Sequence, residues 1–166
     1  MLAKNGIDVA VSLPSDREIA FTCVFQRSPR LLFEAWTKPE HLQVWWGCES
    51  ATVTRCEIDL RIGGHWNLVM EMPDGSVHPF QGVYQEIEQD RRLVYTECYD
   101  VPQFGRPQWV TTITFEKTGS GTRLTHTILH HSKEARDRHL QSGMETGTRH
   151  MLQRLDEVTA RMEKRA

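Results

Sequence analysis

The sequence has no apolar run near the roughly 18–20 residues that a membrane-crossing helix requires. Residues 1–16 lack the basic start and apolar stretch of a secretory signal, so the expected compartment is the cytoplasm. Neither sign of charge is in excess: 20 Lys and Arg face 22 Asp and Glu, for a formal net charge of −2 and a pI near 6.4. That balance gives no global attraction to phosphate backbones or anionic lipid, so neither nucleic acid nor a membrane surface is an expected partner. The four cysteines, Cys23, Cys48, Cys56 and Cys98, contain no Cys-x-x-Cys pair and read as reduced structural thiols rather than disulfides or metal ligands. Cys48, in a loop after Trp46-Gly47, is the exception expected to be exposed and reactive. A Gly-x-Ser-x-Gly elbow, a phosphate-cradling glycine loop and a dinucleotide fingerprint are all missing, and no cofactor is expected. Internal repeats and low-complexity segments are also missing, and 166 residues suit one domain with one core.

What is present is a change of period along the chain. Residues 1–16 show no lasting pattern and read as a loosely held extension before a single domain at 17–166. Arg17–Gln26 alternates, with Ile19, Phe21, Cys23 and Phe25 on one face, and predicts a strand. Ser28-Pro29 opens a short helix carrying Leu32, Phe33 and Trp36, and Pro39 opens a second, stopped by Gly47. Six period-two blocks follow: Ala51–Asp59, His65–Met72, His78–Glu88, Arg92–Asp100, Trp109–Lys117 and Thr122–His131, separated by Gly, Pro and Asp turn signals. After Ser132, Met144, Thr148, Met151, Leu155, Val158 and Met162 recur at helical spacing and predict a long amphipathic helix. The fold class is therefore α+β: a curved seven-stranded antiparallel sheet wrapped around a long C-terminal helix, with two short helices after the first strand. A cavity is expected where sheet and helix face each other.

Several strings in this order resemble one known family. They are Phe33-Glu34-Ala35-Trp36-Thr37, Pro39-Glu40-His41-Leu42 with Trp45-Trp46-Gly47, Glu57-Ile58-Asp59-Leu60-Arg61 with Gly63-Gly64, and Met72-Pro73-Asp74-Gly75. Phe80-Gln81-Gly82-Val83-Tyr84, Arg92-Leu93-Val94-Tyr95-Thr96, Gly121-Thr122-Arg123-Leu124-Thr125, Glu134-Ala135-Arg136-Asp137 and Gly143-Met144-Glu145 continue the series. From about Arg17 to Met162 the chain resembles the stand-alone bacterial members of the family of activators of the ninety-kilodalton heat-shock-protein ATPase, in the START and birch-pollen-allergen, polyketide-cyclase-like superfamily. The resemblance implies the helix-grip fold and a cavity for apolar molecules, but no common reaction. The chain departs from the family pattern at Cys48 and Ile62, where proline is usual, at His126, where an apolar residue is expected, and at Thr148, where a tryptophan is usual. A threonine in place of an indole frees about a hundred cubic ångströms, and predicts a roomier pocket.

The candidate site follows from the inner faces. Leu93, Tyr95, Glu97 and Tyr99 share one face of their strand, and Leu124, His126 and Ile128 share one face of theirs. A buried carboxylate near an imidazole would couple their titrations, so Glu97 and His126 are the candidate acid and base; a structural hydrogen bond is the alternative. Trp66, Leu68 and Met70 on one strand, Tyr84 on the next and Ile113 on the sixth block are expected to join the lining. The C-terminal helix would contribute Met144, Thr148, Met151, Leu152 and Leu155, and the short helices Trp36 and Trp45. Core packing is the simpler reading of Trp36 and Trp66. Neighbours on a helix cannot share a face, so Trp45 or Trp46 is expected to turn outward as a gate or an interface residue. Asp59, Arg61 and Gly63-Gly64 read as a turn held by an ion pair. His130 and His131 point to opposite sides of a strand and cannot chelate together, so no metal is expected. The expected function is binding of a small apolar molecule; a cyclase- or hydrolase-like enzyme in the same cavity, or a module contacting a chaperone or other protein, are the alternatives. Either a monomer or a homodimer is compatible with the sequence.

Overall fold

The computed structural model describes residues 6–165. The seven alternating blocks become strands of one antiparallel sheet: β2 (Glu18–Phe25), β3 (Thr52–Ile58), β4 (His65–Glu71), β5 (Val77–Glu88), β6 (Arg92–Tyr99), β7 (Gln108–Thr118) and β8 (Gly121–Leu129). An eighth strand precedes them, because Val9–Ser12 forms β1 and pairs with β2 in the register Val9↔Cys23 and Val11↔Phe21. The extension expected at residues 1–16 is therefore partly sheet edge, while residues 1–5 lie outside the described residues. Four residues carry too short an alternation to signal a strand on their own, and β1 is held from outside by Arg149, whose Nη1 donates to the Val9 carbonyl at 2.7 Å.

The strand order is β1-β2-β8-β7-β6-β5-β4-β3, so the first and last long strands meet and the hairpins from β3 to β8 run outward from that seam. Between β2 and β3 lie α1 (Pro29–Thr37) and α2 (Pro39–Trp45). The Ser28 hydroxyl accepts from the Leu31 amide at 3.2 Å and Pro29 follows in the first turn, which starts α1 where the sequence predicts it. After β8 the chain forms α3 (Lys133–Gln141), a helix that the periodicity does not announce. Its residues are almost all polar and give no apolar stripe; it forms because Ser132 caps it at Ala135 and because Arg136 is buried, donating from Nη1 to the Ser15 carbonyl at 2.8 Å. Gly143, at φ +83°, breaks the chain before α4 (Met144–Arg165).

The concave face of the sheet carries the core. Ile19, Phe21 and Phe25 of β2, Leu93 of β6, Ile113 of β7 and Leu124 of β8 are fully buried against Leu152 and Leu155 of α4 and Leu32 of α1. No described helix is long and apolar enough to cross a membrane.

Candidate functional site

Packing is incomplete at one end of the grip. There α4 presents Gly147 and Thr148 toward the sheet, and a cavity of about 160 Å³ remains, lined also by Met144, Met151, Trp36 and residues of five strands. Nine of the expected residues meet in it: Trp36, Met70, Tyr95, Glu97, His126, Ile128, Met144, Thr148 and Met151. The space is close to that of an engineered lysozyme cavity of about 150 Å³ that accepts benzene.

Eight expected residues do not line it. Leu68, Ile113, Leu152 and Leu155 do face inward, but at the filled end of the grip, where each has no measurable exposure. Trp45 is also fully buried, because its Nε1 donates to the Ala35 carbonyl at 2.9 Å and its ring packs 4.6 Å from Trp36, behind the cavity wall. Tyr99 lies beyond the cavity in a stack with Phe80 and Phe104, its hydroxyl 2.6 Å from His78 Nδ1. Trp66 and Tyr84 border a separate space of about 20 Å³, room for about one water, which shares Trp36, Trp46, Tyr95 and Glu97 with the main cavity.

Trp46, not Trp45, reaches the cavity, and neither indole turns fully outward. Trp46 caps α2 in an extended conformation, φ −75° and ψ 143°, which swings its ring off the helix and against Phe80 at 4.8 Å. Gly47 and Cys48 follow it into the lining. Cys48 is half-buried rather than exposed, with its sulfur 3.5 Å from Met72 Sδ and 4.0 Å from Met70 Sδ. Trp109 and His139 were also missed. Trp109 precedes Thr111 and Ile113 on the inner face of β7 and was legible by alternation; His139 sits on the polar α3 and had no signal.

The expected Glu97–His126 pair does not form. Through β7 the ladder aligns Glu97 with Trp109, but His126 with Ile113 and Leu93, four residues further along β6. The two α-carbons are thus about 13 Å apart along the strands and about 10 Å across them. No hydrogen bond joins them, and neither is among the causes of the other's altered acidity. Burial pushes Glu97 up to about 7, opposed by the nearby Thr111 hydroxyl and Trp109 indole. Neither donor reaches hydrogen-bond geometry: Trp109 Nε1 and Thr111 Oγ1 are both buried without a partner. At the other end, His126 stands edge-on to Trp36 at 5.9 Å, its Nδ1 buried and unpartnered. The Tyr95 hydroxyl between them accepts from Trp36 Nε1 at 3.1 Å, which leaves its own proton free to donate.

His139 Nδ1 lies 2.9 Å from His130 Nε2, with the Trp109 ring 4.5 Å from His139. Burial lowers His126 and His130 to about 4 and His139 to about 3, against an ordinary 6.5; for His139 the neighbouring His130 and His126 add to it. The unfolded chain therefore binds these protons more readily. Their stability contribution is complete above pH 6.5 and lost as the pH falls towards 4. Glu97 acts oppositely: its contribution is present below its ordinary 4.5 and lost as the pH rises through about 7. Three histidines outweigh one carboxyl, so the melting temperature should fall between pH 6.5 and pH 4, and less steeply in His126→Leu. Equal slopes in thermal melts of the two proteins would show that His126 takes no part.

Elsewhere the turn reading holds: Arg61 Nε donates to Asp59 Oδ2 at 2.8 Å beside Gly63-Gly64. Among the described residues no group of three His, Cys, Asp or Glu side chains is arranged to hold a metal ion.

A family model described as Activator of Hsp90 ATPase homolog 1-like protein matches residues 26–160. The chain belongs to that family. A structural-genomics protein from Nitrosomonas europaea shares 24% identity and a TM-score of 0.82, covering 92% of this chain and 99% of that one. One from Rhodobacter sphaeroides, also 24% identical, gives 0.84 over 92% and 98%; a Mycobacterium smegmatis protein, 22% identical, gives 0.79 over 92% and 96%. These likenesses establish the helix-grip fold for this activator-like chain, with one more strand than its sequence suggests. No curated protein matches it.

Proposed function

We propose that this protein binds a small, largely apolar molecule of about one aromatic ring, or the ring end of a longer one, in the cavity between the sheet and α4. The observation that carries this reading is the coincidence of unfilled space with unmet polarity. Among the described residues, the buried side-chain polar atoms without a hydrogen-bond partner include His126 Nδ1, Trp109 Nε1 and Thr111 Oγ1, which belong to residues lining the cavity or flanking Glu97. A buried donor or acceptor left unpaired costs about 1–3 kcal/mol, which a ligand offering one polar group can relieve. Aromatic rings supply the rest of the contact.

Carriage, sensing or sequestration requires no further chemistry. An enzyme in the same cavity would have to use Glu97 and His126 from separate parts of its wall, since the ladder register keeps them from contacting each other. The family's name associates it with a chaperone ATPase, and of the two tryptophans envisaged as an anchor for a protein partner Trp45 is buried, while Trp46 is half-buried against Phe80.

Native mass spectrometry of freshly purified protein, followed by thermal shift against single-ring apolar compounds, tests the reading. An adduct that disappears on denaturation, or a reproducible rise in melting temperature with compounds of this size, is the expected result. A bare mass with no shift across the set would overturn it.

A further inference from the structure

The cavity is unusual in its charges. Among the described residues that line it none is lysine or arginine, yet they include Glu97 with its carboxyl. Among the described residues Glu97 has no ion-pair partner; the ion pairs elsewhere, such as Arg106 with Asp100 and Arg92 with Glu86, lie toward solvent. Its nearest polar neighbours, Trp109 Nε1 and Thr111 Oγ1, are neutral donors that do not close a hydrogen bond with it.

Around this carboxyl stand aromatic faces. Trp109 is its cross-strand partner on β7; Tyr95 shares its face two residues away; Trp36, Trp46 and Phe80 complete the wall. Electron-rich rings around a desolvated site attract a cation, and a single unpaired carboxylate supplies its counter-charge. An anion would meet the same carboxylate without any cation to hold it.

We infer that the ligand is a primary amine carried on a small aromatic or branched apolar group, its ammonium held by Glu97 within the ring of Trp36, Trp46, Phe80, Tyr95 and Trp109. This rests on the ligand-binding reading above and adds the charge of the ligand to it. The amine docks against the carboxylate while its apolar body lies toward Thr148 and Met151. Other titratable groups facing the cavity do not compete for it. His126 and His139 are kept neutral by burial, the Tyr95 phenol is raised well above its usual value, and Cys48 packs against methionine sulfur. Because the Glu97 carboxyl is itself pushed up to about 7, capture of the ammonium requires its deprotonation, and affinity should rise from pH 6 to pH 8.

Three probes of one shape separate the possibilities by calorimetry: 2-phenylethylamine, 2-phenylethanol and phenylacetate. The amine is expected to bind at least tenfold more tightly than the alcohol at pH 8, and the carboxylate not measurably. The amine's advantage should shrink at pH 6, and in Glu97→Gln the ratio of amine to alcohol should fall to about one. Phe80→Leu, which keeps the carboxyl, should lower the amine preference in part. Equal binding of amine and alcohol, or a preference that survives in Glu97→Gln, overturns the amine assignment and leaves the apolar-ligand reading standing. Failure of all three probes counts against both.

Discussion

Thr148→Trp is expected to abolish uptake of a single-ring ligand while leaving the protein as stable as before or more so. Thr148 is buried on α4 and forms part of the cavity wall. Its replacement adds about a hundred cubic ångströms of side chain, against about 160 Å³ of free space. The indole would occupy the place of the ligand's ring, against Met151 and Ile128. Cavity filling commonly adds about 0.5–2 kcal/mol of stability, so a higher melting temperature with binding lost beyond a hundredfold is the joint signature. Thr148→Ala supplies the contrast, since it enlarges the space and should retain binding. Native mass spectrometry and calorimetry on the three proteins read both effects. An unchanged affinity in Thr148→Trp would place the ligand elsewhere, whatever the melting temperature did.

The same residue shows how far the sequence could be read. Period-two alternation and turn signals carry the sheet, because strands such as β4, β7 and β8 bury one face more deeply than the other. Val9–Ser12 escaped because its alternation is only four residues long, and α3 because its stability comes from the Ser132 cap and the buried Arg136 rather than from an apolar stripe. Alternation also identified which residues face inward: Glu97, His126 and Tyr95 do so as expected. Position along the inner face was not legible. Ile113 and Leu68 face the same way as Trp109 and Met70, yet the first two are packed solid while the last two border open space. What separates them is where α4 stands back from the sheet, at Gly147 and Thr148. That distance depends on register among three strands and a helix, which no single segment encodes. The Glu97–His126 pairing failed for the same reason, since facing inward from two strands does not make residues neighbours in a ladder. Trp46 was misplaced by a different route, because its indole is directed by departure from helical geometry at the end of α2.

The largest loss of stability is expected from Gly82→Ala. Gly82 lies on β5 opposite Trp66, just before the register shift between Tyr84 and Glu86 in the pairing with β6. Thr96 there serves two partners outside the ladder: its hydroxyl accepts from the Val83 amide at 2.9 Å, and its carbonyl from Trp66 Nε1 at 3.2 Å. The indole reaches that carbonyl across the space left by the missing side chain. A β-carbon on residue 82 would overlap the Thr96 carbonyl oxygen and stand 2.5 Å from Trp66 Nε1. The first contact is with backbone and cannot be relieved by a rotamer change, so β5 and β6 must separate locally. The cost should reach about 3 kcal/mol or more, at the upper end of overpacking penalties, and lower the melting temperature by about 6–12 °C in a chain of this size. Thr96 lies between Tyr95 and Glu97, so ligand affinity should fall as well. Trp66→Phe combined with Gly82→Ala separates the two contacts: it removes the indole nitrogen but not the carbonyl clash, and should not restore stability. Recovery in the double variant, measured by urea unfolding, would show that the indole rather than the backbone of β6 requires glycine at this position.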